Sequence, residues 1–188
     1  MIRKCLKVIG TVAAILVGVV AVYVIYLFTT YHRIADNLPL TVEQPAKKGT
    51  DVDALAIGTE YTALTYNIGF GAYTPDFSFF MDGGESSWAK SKESVLDTVQ
   101  GAGDLVASLR PDFALIEEID LDSTRSYHTD EYALLKECLP EDYTVFAQNY
   151  DSAFLFYPLN QPHGSSKSGL GLFSGYPVTE ALRRSFPI

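Results

Sequence analysis

The sequence predicts an α/β domain that follows one membrane-spanning helix. Residues 8–28 contain no charged side chain, and such a long apolar run is typical of a helix inside a bilayer. Beyond residue 57, segments rich in β-forming residues alternate with segments whose apolar residues recur at intervals of three and four. Strands separated by helices favour an α/β fold.

The apolar run is long enough to cross a membrane. Its 21 residues would form a helix of about 32 Å, close to the roughly 30 Å of a hydrocarbon core. A cleaved signal peptide is the alternative, but its apolar region usually has about 7–15 residues before a small-residue cleavage site. Because this run is longer and continues into Thr29, Thr30 and Tyr31, an uncleaved signal anchor is favoured.

Basic residues predict the orientation of this anchor. Arg3, Lys4 and Lys7 precede it, whereas only Arg33, beside His32, follows it closely. The positive-inside rule therefore places residues 1–7 in the cytoplasm and the remaining domain outside, in a single-pass protein of the cell membrane.

The charge outside the anchor limits the partners of the domain. Residues 34–188 hold ten of the 14 basic residues and all 23 acidic ones, a net charge of −13. Since duplex DNA is bound mainly by neutralising its phosphates, general DNA binding is disfavoured. A small phosphoester, such as a nucleotide or a lipid headgroup, met through a divalent cation, stays compatible with this charge.

The element order follows from changes in periodicity. Residues 29–57 are polar and contain Pro39 and Pro45, so a linker is expected before a domain at 58–188. Strands are expected at residues 62–67, 113–116, 143–148 and 168–174, and a short helix at 131–138. A longer helix is expected from Ser91 until Pro111 stops it, with one apolar face formed by Val95, Val99, Ala102, Leu105, Val106 and Leu109. The run GSSKSG after His163 lacks the order of a phosphate-binding P-loop and is expected to be a loop.

Polar side chains follow two of these strands. Asn67 stands at the end of the first strand, and Glu117 and Glu118 stand at the end of the second, where alternation would point them to opposite faces. Ligands of α/β domains collect beyond the carboxyl ends of strands, and Mg²⁺ is often held by one or two carboxylates plus phosphate oxygens. The alternative is that the glutamates begin a solvated loop and Asn67 begins a turn.

Three motifs in order carry a resemblance to a known family. TALTYNIGFG, PDFALIEEID and SGLGLFSGYPV resemble the first half of the endonuclease/exonuclease/phosphatase superfamily, in the style of its bacterial membrane-anchored members. The resemblance covers residues 61–187 and implies part of a DNase I-like four-layer α/β sandwich, namely its first sheet and the helices on it. It also implies hydrolysis of a phosphomonoester or phosphodiester with Mg²⁺ or Mn²⁺.

The resemblance assigns roles to individual residues. Asn67 and Glu118 match the family's catalytic asparagine and glutamate, and Glu118 matches its metal ligand. The family commonly has Gln immediately before that glutamate, so Glu117 is a departure. In the charged loop that follows, Arg125 and His128 are candidate ligands of the substrate phosphate, although such a loop is more often a solvated turn.

The family's second half supplies an Asp-x-Asn motif and an Asp and His pair, for which these 188 residues offer no candidates. The chain is therefore expected to have little or no activity alone. Two functions follow as hypotheses: a membrane-anchored phosphoesterase of which this chain is the first half, or a noncatalytic membrane-anchored binding module.

Overall fold

The computed structural model describes residues 2–47 and 54–185, in two compact units, Met1–Arg33 and Ile34–Ile188. In the first unit, helix α1 spans Ile2–Thr30 and includes the expected apolar run. Its most apolar window has a mean hydropathy of 2.7, so α1 is long and apolar enough to cross a membrane or to act as a signal sequence. Its orientation in a membrane stays a prediction.

The second unit is a mixed α/β domain, which confirms the predicted α/β class. The DNase I-like sandwich stays a prediction. Its elements in chain order are β1 (Leu38–Pro39), β2 (Val42–Glu43), β3 (Ala63–Asn67), α2 (Lys92–Leu109), β4 (Phe113–Asp120), α3 (Glu131–Cys138), β5 (Tyr143–Leu155), β6 (Gly164–Ser174) and β7 (Leu182–Arg183). Five strands form one sheet in the order β2-β5-β6-β4-β3, in which only β3 and β4 run parallel. Strands β1 and β7 pair separately.

The segment expected to be a linker contributes to the fold. Strand β2 lies within it and pairs with β5, with Val42 opposite Val145. Glu43 also accepts a hydrogen bond from Lys136 Nζ at 2.8 Å. Residues 48–53 of the expected linker lie outside the described part of the chain.

Helix α2 begins and ends where the sequence predicts. The Ser91 hydroxyl accepts a hydrogen bond from the Ser94 amide at 3.1 Å, as an N-cap does, and the chain leaves the helix at Arg110 in the left-handed region. Four of the six expected apolar positions are buried, namely Val95, Val99, Ala102 and Val106. Leu105 is exposed because it lies about 90° around the helix from this stripe. Leu109 is exposed in the last turn.

The core lies between the sheet and helices α2 and α3. Ala114, Ile116 and Phe173 are buried on this side of the sheet. Side chains alternate along a strand, so Leu115 belongs to the opposite, outer face, where it is 45% exposed. Leu170 on β6 is exposed as well. The outer face therefore presents apolar side chains to solvent.

Two strands are longer than expected. Strand β5 continues from Gln148 to Leu155, and β6 begins at Gly164 instead of Ser168. The expectation of a loop at GSSKSG was therefore wrong, because that run pairs with β5, with Ser166 opposite Ser152 and Lys167 opposite Asp151. Tertiary pairing outweighs the weak strand preference of Gly and Ser here.

Candidate functional site

Strand β4 has a β-bulge at the two glutamates. Ile116 pairs with Gly171 and Ile119 with Gly169, so Glu117 and Glu118 together face the single residue Leu170 on β6. Glu118 has a φ of +56°, in the left-handed region that a non-glycine residue seldom occupies. The expectation that the strand ends at the glutamates was wrong, since it resumes after the bulge and reaches Asp120.

The bulge brings Glu118 to Asn67. The parallel pairing of β3 and β4 sets Asn67 beside Glu117, and Asn67 Nδ2 donates to Glu118 Oε1 at 2.9 Å. Asn67 Oδ1 in turn accepts from the Gly69 amide at 2.9 Å, which fixes the orientation of the Asn67 side chain. The predicted meeting of an amide and a carboxylate is therefore observed, whereas their catalytic role stays a prediction.

Two open clefts share Glu118 and Tyr73 in their walls. The first has a volume of about 480 Å³ and is also lined by Asn67, Gly69 and Thr98. The second, of about 330 Å³, is also lined by Arg125 and His163, and by further residues that include Phe70, Met81 and Tyr150. A ligand held by Glu118 would have room on either side of this carboxylate.

Arg125 reaches the second cleft in a fixed position. Its guanidinium makes two hydrogen bonds with the buried carboxylate of Asp120, from Nε at 3.0 Å and from Nη2 at 2.9 Å. Ser126 Oγ donates to the same carboxylate at 2.8 Å, and the Phe70 ring centroid lies 3.8 Å from Arg125 Cζ. Because a guanidinium has five N–H donors, Arg125 retains donors for an anion after pairing with Asp120.

The structure places the histidines differently from the prediction. His128 Nδ1 contacts Asp122 Oδ1 at 2.5 Å, both side chains are more than half exposed, and His128 lines neither cleft at Glu118. Its proposed contact with a substrate stays a prediction that this placement does not support. His163, which sequence reasoning left without a role, lies on the second cleft.

Two neutral side chains accompany the charges of the second cleft. Partial burial raises the pKa of Tyr73 to about 12, helped by its hydrogen bond to Asp82 at 3.0 Å and by the charge of Glu118. Burial and the nearby Arg125 lower the pKa of His163. Near neutral pH the cleft therefore offers an uncharged phenol and an uncharged imidazole. Sequence reasoning missed Tyr73, since nothing distinguishes it from the other aromatic residues of its loop.

The donor set at Glu118 fits one kind of metal ion. Among residues 2–47 and 54–185, no three or more His, Cys, Asp or Glu side chains form a group that could hold a metal. Mg²⁺ does not require such a group, because it is often held by only one or two carboxylates, with water and substrate oxygens completing its shell. Glu118 supplies such a carboxylate, and its hydrogen bond from Asn67 occupies only Oε1.

A buried carboxyl group, that of Glu131, contacts the backbone of Asp120. Glu131 is fully buried, and its Oε2 accepts a hydrogen bond from the Asp120 amide at 2.9 Å. Burial, and next the nearby negative charge of Asp120, raise the pKa of Glu131 well above its usual value. Glu131 is therefore protonated in the folded protein at pH values where the unfolded chain has lost this proton.

Replacing Glu131 by glutamine is expected to flatten the dependence of stability on pH. The raised pKa gives the wild type a contribution that is complete below the unfolded pKa, near 4.5, and is lost as the pH rises toward the folded pKa. Glutamine keeps an acceptor for the Asp120 amide and cannot ionise. Urea denaturation at a series of pH values above 4.5 checks this, and equal pH slopes for both proteins would contradict it.

Comparisons of the chain with protein-family models, with curated proteins and with solved structures found no match.

Proposed function

We propose that this chain is a membrane-anchored part of a metal-dependent phosphoesterase, with Glu118 as the metal-binding carboxylate and Asn67 as the side chain that orients it. The observation that carries this proposal is the 2.9 Å hydrogen bond between the two side chains at the wall of an open cleft. Residues 51 positions apart meet there through the parallel pairing of β3 and β4.

The outer face of the sheet supports a two-sheet architecture. Leu115 and Leu170 are exposed on it, and a large exposed apolar area usually marks an interaction surface. In a DNase I-like sandwich, a second sheet would cover such a face. We therefore propose that the five-stranded sheet is the first sheet of that fold.

The side chains around the clefts have complementary tasks in this proposal. A bound Mg²⁺ or Mn²⁺ would polarise the phosphate and make a bound water more acidic. Asn67 donates to Oε1 of Glu118, so Oε2 would be available to such an ion. Arg125, fixed by Asp120, would neutralise a phosphate oxygen. The Tyr73 hydroxyl already donates to Asp82, so this neutral phenol would accept a hydrogen bond from the substrate.

The substrate class follows from charge. The folded unit is strongly acidic, and Arg125 is the single Lys or Arg among the residues that line the two clefts. A long polyanion would be repelled by this surface, whereas one phosphoester group could pair with Arg125. We therefore propose a small phosphoester or a lipid headgroup as substrate and disfavour duplex DNA.

Glu118→Gln is expected to weaken Mn²⁺ binding at least tenfold. Glutamine keeps the shape and can still contact Asn67, but it removes the negative charge that a hard cation requires. Binding to the full chain in detergent is measured by the loss of the free Mn²⁺ signal in electron paramagnetic resonance, with competition by Mg²⁺. This readout does not require turnover, which the chain alone is expected to lack.

Glu117→Gln is the matched control, because it makes the same chemical change at the adjacent residue, which lines neither cleft. It should leave Mn²⁺ affinity within about twofold of wild type. If Glu118→Gln binds Mn²⁺ as the wild type does, or if both variants lose affinity equally, the metal site is not at Glu118. The noncatalytic binding module would then be favoured.

A further inference from the structure

The connection between β5 and β6 exposes large apolar side chains. Phe156, Tyr157 and Leu159 lie on it, and we call these three residues the aromatic tip. Tyr157 is 69% exposed and Leu159 is 76% exposed. The Tyr157 ring lies 6.0 Å from that of Phe80, and the next residue, Met81, is also exposed and lines the second cleft. Apolar surface therefore occurs both at the aromatic tip and at the cleft that holds Glu118.

Hydrogen bonds from another loop hold this connection in place. Trp88 Nε1 donates to the Pro162 carbonyl at 2.6 Å, and Ser87 Oγ donates to the Gln161 carbonyl at 2.5 Å. The His163 amide donates to the Tyr157 carbonyl at 3.3 Å, closing the loop on itself. These hydrogen bonds hold the loop that carries the apolar side chains. A loop held in this way loses less conformational entropy when it binds a partner.

The charge around the aromatic tip differs from that of the remaining domain. Residues 152–179 contain no Asp or Glu, and Lys167 is their only Lys or Arg, although the net charge over residues 34–188 is −13. Exposed aromatic and aliphatic side chains on a segment without acidic residues suit the boundary between lipid headgroups and acyl chains. An acidic domain would meet a zwitterionic bilayer through such a region and be repelled by an anionic one.

We propose that the aromatic tip docks on the surface of a zwitterionic phospholipid bilayer. The proposal goes beyond the proposed function and rests only on its membrane-anchoring part. Helix α1 ends at Thr30 and the folded unit begins at Ile34, and the four Cα–Cα steps from one to the other span at most about 15 Å. An inserted α1 would thus keep the domain close to lipid. Docking would bring lipid headgroups toward the second cleft.

Tryptophan placed in the aromatic tip is expected to be quenched by lipid. The full chain carrying Leu159→Trp is reconstituted in phosphatidylcholine vesicles that contain a brominated phosphatidylcholine. Leu105→Trp is the matched control, because Leu105 is an exposed leucine on α2. After subtraction of the signal of Trp88, the single native tryptophan, we expect at least twofold stronger quenching at position 159 than at position 105.

A second substitution shows whether the quenching at position 159 depends on a local change of structure caused by Leu159→Trp. Tyr157→Trp replaces one exposed aromatic side chain by another and should show the same strong quenching. Equal quenching at positions 159, 157 and 105 would overturn the proposal. The quenching experiment does not involve Glu118 or a metal ion. Failure of membrane docking and failure of the metal site are therefore distinguishable.

Lipid charge provides the last arm of the experiment. With about a third of the phosphatidylcholine replaced by phosphatidylglycerol at low salt, quenching at position 159 should fall, because the acidic domain is repelled over about 30 Å at 0.01 M ionic strength. Addition of about 1 M salt should restore it, since the Debye length then shrinks to about 3 Å. Quenching that rises with phosphatidylglycerol would overturn the choice of a zwitterionic surface.

Discussion

Asp120→Ala is expected to lower the free energy of unfolding by about 3–5 kcal/mol, because it leaves a largely buried guanidinium without its counterion. The Asp120 side chain is 0% exposed and that of Arg125 is 12% exposed. The substitution also removes the acceptor of Ser126 Oγ. Urea denaturation of the full chain in detergent, followed by the fluorescence of Trp88, measures the loss.

An exposed ion pair of similar length provides the control. Lys90 Nζ lies 2.8 Å from Asp76 Oδ2, close to the 2.9 Å between Arg125 and Asp120, but both side chains are more than 60% exposed. Asp76→Ala should therefore leave the urea midpoint unchanged within error, since water screens this pair. Similar losses for both variants would show that burial does not decide the strength of the Arg125 pair.

Phe173→Ala is expected to cost about 3–5 kcal/mol through the cavity it leaves in the core. Phe173 on β6 is fully buried, and its ring centroid lies 5.8 Å from that of Tyr132 on α3. Few neighbours can move into the space, because the sheet holds one side and α3 the other. The same urea titration measures this loss.

Leu115→Ala tests the opposite face of the same sheet. Leu115 is 45% exposed, so its truncation should cost about 1 kcal/mol or less. A cost as large as that of Phe173→Ala would contradict an uncovered outer face, and would mean that this face is buried in solution by another part of the protein or by a second copy.

Local patterns predicted the helices and one part of the site. The expected short helix at residues 131–138 coincides with α3, and the apolar run coincides with the middle of α1. The proximity of Asn67 to the glutamate pair was also predictable, because parallel neighbouring strands end at the same edge of a sheet.

Features that depend on distant partners were not predictable. The bulge at Glu118 is defined by the register of β6 from Gly169 to Gly171, which no local periodicity shows. Strand β2 has only two residues and exists through its pairing with β5. His163 reaches the second cleft because the loop before it is bonded to Ser87 and Trp88, some 74 residues earlier.

The left-handed backbone of Glu118 sets stability against the proposed metal binding at one position. A non-glycine residue in this region costs roughly 1–2 kcal/mol, which glycine would avoid. Variants of the chain selected only for resistance to heat should therefore accumulate glycine at residue 118, and variants selected for metal binding should keep glutamate. The bulge is a point of local frustration, where the side chain proposed to bind the metal occupies a backbone conformation that a different residue would adopt more easily.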